Sequence, residues 1–184
     1  MPFKQHYVVL LLFLSGFFLT KTSRAQQYVG AVGARFSYGF GITGKYIFKQ
    51  QKGHGLEFLL RYGYHGLIIN KPGGHIQALY EKHWEFGRYK NWTVYVGGGP
   101  GFGFGKRNSL SKNTYFAFCL SPIVGIDFTT RQLKIPMVLA FDYKPAFHTD
   151  VLISKGNQKP QTDFSYYEIA FSVRFAINGK KRRY

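Results

Sequence analysis

From Gln26 onward, large apolar residues recur at every second position through most of the chain. Such period-2 alternation marks β-strands whose two faces meet different surroundings. No stretch after Gln26 sustains the 3.6-residue spacing of an amphipathic helix. Eight segments alternate. The last sets Tyr167, Ile169, Phe171, Val173, Phe175 and Ile177 against Glu168, Ala170, Ser172, Arg174 and Ala176. The seventh sets Met137, Leu139, Phe141 and Tyr143 against Val138, Ala140, Asp142 and Lys144. The third sets Leu56, Phe58, Leu60, Tyr62 and Tyr64 against Glu57, Leu59, Arg61, Gly63 and His65. The others, within residues 28–38, 40–48, 76–84, 92–104 and 116–128, follow the same rule.

The two faces differ in kind. One is a wall of bulky aliphatic and aromatic side chains. The other carries small residues and balanced charge: Arg35, Lys45, Arg61, Lys144 and Arg174 against Glu57, Glu81, Asp127, Asp142 and Glu168. The whole chain has 25 Lys and Arg against 8 Asp and Glu, so five of its eight acids fall on this one face. A narrow barrel lumen favours small residues and paired ions, while lipid favours the bulky apolar face. These ten residues are therefore expected to line a lumen and pair with one another, since an unpaired buried charge is costly. The competing reading is a soluble barrel or sandwich whose apolar faces fill one core and whose charged face meets water.

Connection lengths favour the first reading. The third, fifth and seventh connections (residues 66–74, 105–114 and 146–163) are long, and the second, fourth and sixth (49–54, 87–91 and 129–134) are short. Outer-membrane barrels alternate in this way. The first, expected at residues 39–41, is tight instead. Tyr38, Tyr64, Trp84, Trp92, Phe104 and Phe128 stand near strand ends, as an interfacial girdle would. Pro100 and Pro122 fall inside strands, where each removes a ladder donor, so bulges or extramembrane strand ends are expected there. Lys82 falls on the apolar parity, near enough to Trp84 and the turn to snorkel.

The N-terminus reads as an address. Lys4 precedes the apolar run YVVLLLFLSGFFLT (residues 7–20), and Ser23-Arg24-Ala25 places small residues at a cleavage site. This is the layout of a secretory signal peptide over residues 1–25, with a mature domain over 26–184. Three of the 25 cations leave with it, so 22 against 8 acids give the mature chain a net charge of +14.

The mature chain resembles the small outer-membrane β-barrel proteins of the porin-like superfamily typical of Bacteroidota. The resemblance rests on Gly41-Ile42-Thr43-Gly44-Lys45-Tyr46, on Trp92-Thr93-Val94-Tyr95-Val96-Gly97-Gly98-Gly99 and on Gly125-Ile126-Asp127-Phe128. It continues through the segment from Ile135 to Pro145 and through Phe171-Ser172-Val173-Arg174-Phe175. It implies an eight-stranded antiparallel up-and-down transmembrane barrel in the outer membrane, with no settled activity. It also implies outer-membrane lipids, lipopolysaccharide and the barrel-assembly machinery as partners. The basic tail, Asn178-Gly179-Lys180-Lys181-Arg182-Arg183-Tyr184, departs from the aromatic strand end usual in such proteins.

Motifs for chemistry are sparse. The glycine-rich run from Gly97 to Gly105 is followed by no helix pattern, so it reads as a strand with a small lumen face rather than a phosphate loop. His54, His65, His75, His83 and His148 show no metal-binding helix spacing. His65 and His75 are the one pair weighed for a metal, with a hydrogen bond as the default. Ser165, His148 and Asp150 or Asp163 are weighed as a nucleophile, base and acid brought together by the last outer loop. Cys119, the only cysteine, excludes a disulfide framework and reads as an inert packed thiol. Lys106, Arg107, Lys112, Lys155 and Lys159 fall in outer loops, where acidic sugars or lipid phosphates are candidate contacts. The cations form no aromatic-basic surface for nucleic acid. No cofactor, metal or catalytic set is expected. The expected role is structural or loop-mediated binding in the envelope. A membrane enzyme acting on lipid A or peptides and a soluble lipid-binding barrel stand as alternatives.

Overall fold

The computed structural model describes residues 28–37, 39–49, 53–64, 72–86, 91–106, 114–130, 136–153, 161–165 and 168–177. The proposed signal peptide, His65, the basic tail and most of the outer-loop cations lie outside them. The described elements are strands: β1 (Gly30–Phe36), β2 (Gly39–Lys49), β3 (His54–Tyr64), β4 (Pro72–Phe86), β5 (Trp92–Lys106), β6 (Thr114–Thr130), β7 (Met137–Tyr143), β8 (Ala146–Ile153), β9 (Gln161–Ser165) and β10 (Ile169–Ile177). All pairings are antiparallel between neighbours, and β1 meets β10 to close the sheet on itself. The result is a closed eight-stranded barrel. Its seventh strand is β7 continued by β8, and its eighth is β9 continued by β10.

Rungs spiral around the wall. From Phe36 the partners run through Phe40, Tyr62, Gly74, Phe104, Phe116 and Val151, while β1 meets β10 at Phe36–Phe171. This stagger is the shear that barrel closure imposes on tilted strands.

Several expected boundaries move. The first turn lies before Gly39, and residues 39–41 already belong to β2, paired with β3 from Gly39–Gly63 onward. The third connection is shorter than expected, because β4 starts at Pro72. The seventh is cut back further from its expected length. Residues 146–153 continue the wall as β8, and 161–165 return along it as β9. The cause is the length of β6. Its 17 residues pair with β7 only from Val124 to Thr130, and β8 takes Thr114 to Leu120. Pro145 lacks a donor and splits what would be one strand at Lys144-Pro145.

Neither internal proline makes a bulge. Pro100 faces Leu120 and Pro122 faces Gly98 in one unbroken register. The missing donor of Pro100 shows on its other side, where the β4–β5 ladder passes from Gln77–Gly101 to Tyr80–Gly98 with the intervening rungs lost but the register kept. The strands still touch there. A Cβ on Gly99 would lie 1.9 Å from the Ala78 carbonyl oxygen. The register shift that is present lies in β2, between Ile47 and Lys49.

The barrel is inverted relative to a water-soluble fold. Its outer face exposes Phe40, Phe58, Leu60, Phe118, Phe141, Phe147 and Ile169 by more than half, and Tyr62 by 70%. Charged and polar groups fill the inside. Two apolar clusters stand among them, Tyr28, Ala31, Ile47 and Val138 towards one mouth and Leu59, Leu79, Tyr95 and Ile123 further in.

Candidate functional site

The structure places all ten charged residues of the alternating small face inside the barrel, none more than 7% exposed. Eight stand on strands and are held by strand parity, since a residue two positions along a strand returns to the same face, while Lys144 and Glu168 flank β7 and β10 by one residue. They sort into two groups.

The first group lies towards the end at which the described chain begins. The Arg174 guanidinium on β10 reaches Glu57 on β3 at 2.5 Å and Asp127 on β6 at 3.3 Å. Its Nε donates to the Thr43 hydroxyl at 3.3 Å, and that hydroxyl donates to Glu57. Lys45 on β2 meets three carboxylates, Glu81 at 2.9 Å, Asp127 at 3.4 Å and Glu57 at 3.5 Å. Its ammonium also sits 3.8 Å from the centre of the Tyr95 ring, a cation–π contact. His83 contacts Glu81 at 2.9 Å and stacks on Tyr95 with ring centres 5.2 Å apart. Tyr28 donates to Asp127 at 3.2 Å. Two cations thus serve three acids.

The second group lies further along the axis. Arg35 on β1 binds Asp142 on β7 through two parallel hydrogen bonds, and Tyr95 donates to the same carboxylate at 3.2 Å. Arg61 on β3 pairs with Glu168 at 2.5 Å and donates to the Ser37 hydroxyl at 3.2 Å. Lys144 pairs with Glu168 at 3.3 Å and donates to the Gln77 carbonyl. Three cations here serve two acids, so the surplus of each group offsets that of the other. Residues from β1, β2, β3, β4, β6, β7 and β10 are tied together across the lumen by these contacts.

Sequence reading overlooked the neutral members of this network. Thr43, Gln77, Tyr28, Tyr95 and His83 are all buried, and each makes a hydrogen bond or polar contact with one of the ions. Inward parity was the only signal for Thr43, Gln77, Tyr95 and His83. Tyr28 is the exception: it alternates with Val32 and Phe36 of the apolar face and is expected outside, yet it is 1% exposed, because it precedes β1 and is not held to that strand's parity. Cys119 is buried, with Sγ 3.0 Å from His75 Nε2 and 4.0 Å from the Gln77 amide and the Ser121 hydroxyl. Gly101 makes room for this group. A Cβ there would lie 2.6 Å from Cys119 Sγ and 2.8 Å from His75 Nε2. His75 thus faces the thiol, and its weighed partner His65 lies outside the described residues.

For the weighed nucleophile set, the structure gives backbone register. His148 stands opposite Asp163, Ser165 opposite Ala146 two positions away, and Asp150 opposite Gln161. Among the described residues, no group of three or more His, Cys, Asp or Glu side chains is arranged to hold a metal ion. No protein-family model matches the chain, and neither the curated proteins nor the solved structures contain a match.

Proposed function

We propose that the chain is an integral outer-membrane β-barrel protein with a side-chain-filled lumen, stabilising the envelope or displaying its outer loops for binding. The observation that carries this reading is the inverted burial. Among the described residues, 25 large apolar or aromatic side chains are well exposed on the outer face. Moving one half-exposed side chain of this kind from water into hydrocarbon gains about 1 kcal/mol. The whole face therefore favours an apolar surround by on the order of 25 kcal/mol. In water the same face would drive aggregation. Burial of Arg61, Glu168 and Arg174 supports membrane insertion over a soluble lipid-binding barrel, whose lumen would be apolar.

The interior network is structural on this reading. Eight strands leave a lumen that side chains fill, and here salt bridges cross it, so a wide aqueous channel is not expected. The network joins strands distant in sequence and holds the barrel closed.

Heat-modifiable gel mobility of the outer-membrane fraction tests the reading. A folded species that migrates apart from the boiled one, in the membrane, is expected. Protein found only in the soluble periplasm, with no mobility shift, overturns it.

One observation favours an enzyme as a second reading. The β8–β9 register brings His148, Asp163 and Ser165 within two rungs of one another. Loss of lipid A or peptide turnover in Ser165→Ala and His148→Ala, against an active parent, would establish it.

A further inference from the structure

Among the described side chains, Lys82 is the one charged group on the outward, apolar parity. It stands opposite His54 in the β3–β4 register, and its ammonium lies 3.3 Å from His54 Nε2. An ammonium only donates, so Nε2 is the acceptor and the ring proton sits on Nδ1. Nδ1–H then donates to the Tyr80 hydroxyl, leaving that oxygen's own hydrogen directed elsewhere. Phe48 completes the cluster, with ring centres 6.3 Å from both His54 and Tyr80, which are 5.8 Å from each other. The outer surface thus presents an ammonium and a hydroxyl fixed on either side of one imidazole, set in aromatic rings.

We propose that this cluster binds the phosphate of a glycerophospholipid headgroup. The inference rests on the membrane reading above. A Lys on the lipid face is strongly disfavoured at the bilayer midplane and nearly free of cost near an interface. The site lies at the interface: His54 is the first residue of β3, beside the β2–β3 turn. That turn is at the end where the described chain begins, which an exported N-terminus leaves on the periplasmic side. The lipid met there is a phospholipid whose phosphate takes charge-assisted hydrogen bonds from both Lys82 and Tyr80. The aromatic rings pack on its glycerol and upper acyl carbons.

The test moves refolded protein from vesicles of phosphatidylcholine and phosphatidylglycerol into detergent and counts retained phosphatidylglycerol by native mass spectrometry. Folding of each variant is read by heat-modifiable mobility. Wild type is expected to keep one phosphatidylglycerol. Lys82→Gln and His54→Gln are expected to lose it about tenfold or more, while Lys82→Arg keeps it. Should Lys82→Gln fail to fold, His54→Gln carries the result, since it leaves the charge in place. Undiminished retention in folded variants overturns the site and leaves the membrane reading intact. A wild type that never enters vesicles overturns both. Displacement of the lipid by millimolar inorganic phosphate assigns the cluster to free phosphate and overturns the lipid assignment.

Discussion

Arg35 and Asp142, 107 residues apart in sequence, meet inside the barrel through two parallel hydrogen bonds of 2.7 and 2.5 Å. One stands on β1, at the closing seam, and the other on β7. Both are almost wholly buried, so neither charge is hydrated in place of its partner. Removing one partner from such a pair costs about 3–5 kcal/mol, because the survivor is left buried and uncompensated. Asp142→Asn and Arg35→Met are each expected to lower the unfolding free energy, read by urea titration of the folded form, by that amount. The double change Arg35→Met with Asp142→Leu is expected to recover most of it. Equal and additive losses would show that the pair does not act as a unit.

The Lys45 group gives a sharper contrast, because its acids are unequal. Glu57 takes Arg174 at 2.5 Å, the Thr43 hydroxyl and Lys45, whereas Glu81 takes Lys45 and His83. Three acids share two cations, so removing one negative charge relieves repulsion as well as losing contacts. Glu81→Gln is expected to be the milder change, and Glu57→Gln to cost about 1–3 kcal/mol more, as a broken charged hydrogen bond does. Urea titration of the two variants in the same detergent ranks them. The reverse order would mean that Glu81, not Glu57, anchors the group.

Two glycines of opposite setting separate lumen packing from backbone freedom. Gly44 faces outward, and a Cβ there meets nothing within 4 Å, so Gly44→Ala is expected to be neutral or to stabilise by up to about 1 kcal/mol. Gly101 faces Cys119 and His75 at distances no real Cβ tolerates. Gly101→Ala is expected to destabilise by about 1–3 kcal/mol through overpacking. Gly101→Ala combined with Cys119→Ala should regain part of that loss in the same thermal or urea assay.

Alternation was enough to place Arg35, Lys45, Glu57, Arg61 and the other charged residues on one face, because strand parity is local and needs no knowledge of partners. Which acid meets which cation was not legible. Arg174–Glu57 and Arg35–Asp142 join strands through shear, and shear is a property of the closed sheet rather than of any segment. The wall beyond Lys144-Pro145 was missed for a different reason. Ala146, His148 and Asp150 alternate with Phe147, Thr149 and Val151, a contrast too weak to stand apart from a polar loop. Only the unpaired upper half of β6 demands a partner there. Leu59, Leu79 and Ile123 also escaped as a packed interior cluster, since a small, charged face gives no sign of which large residues it admits.

The outer face offers the prediction that best separates a membrane barrel from a soluble one. Leu60 is half exposed, between its rung partners Ile42 and Ile76 on the neighbouring strands. In hydrocarbon near the midplane, Leu60→Arg is expected to cost about 2–4 kcal/mol. The same change at Trp92, close to the β4–β5 turn, is expected to cost about 0–1 kcal/mol for the charge itself. In water the ranking disappears, because an exposed surface substitution usually stays within about 0.5 kcal/mol. Folding free energies measured in vesicles for Leu60→Arg and Trp92→Arg therefore report depth. A steep difference places Leu60 in lipid. Equal, small effects would remove the lipid from around the barrel and leave its apolar face to be covered by protein.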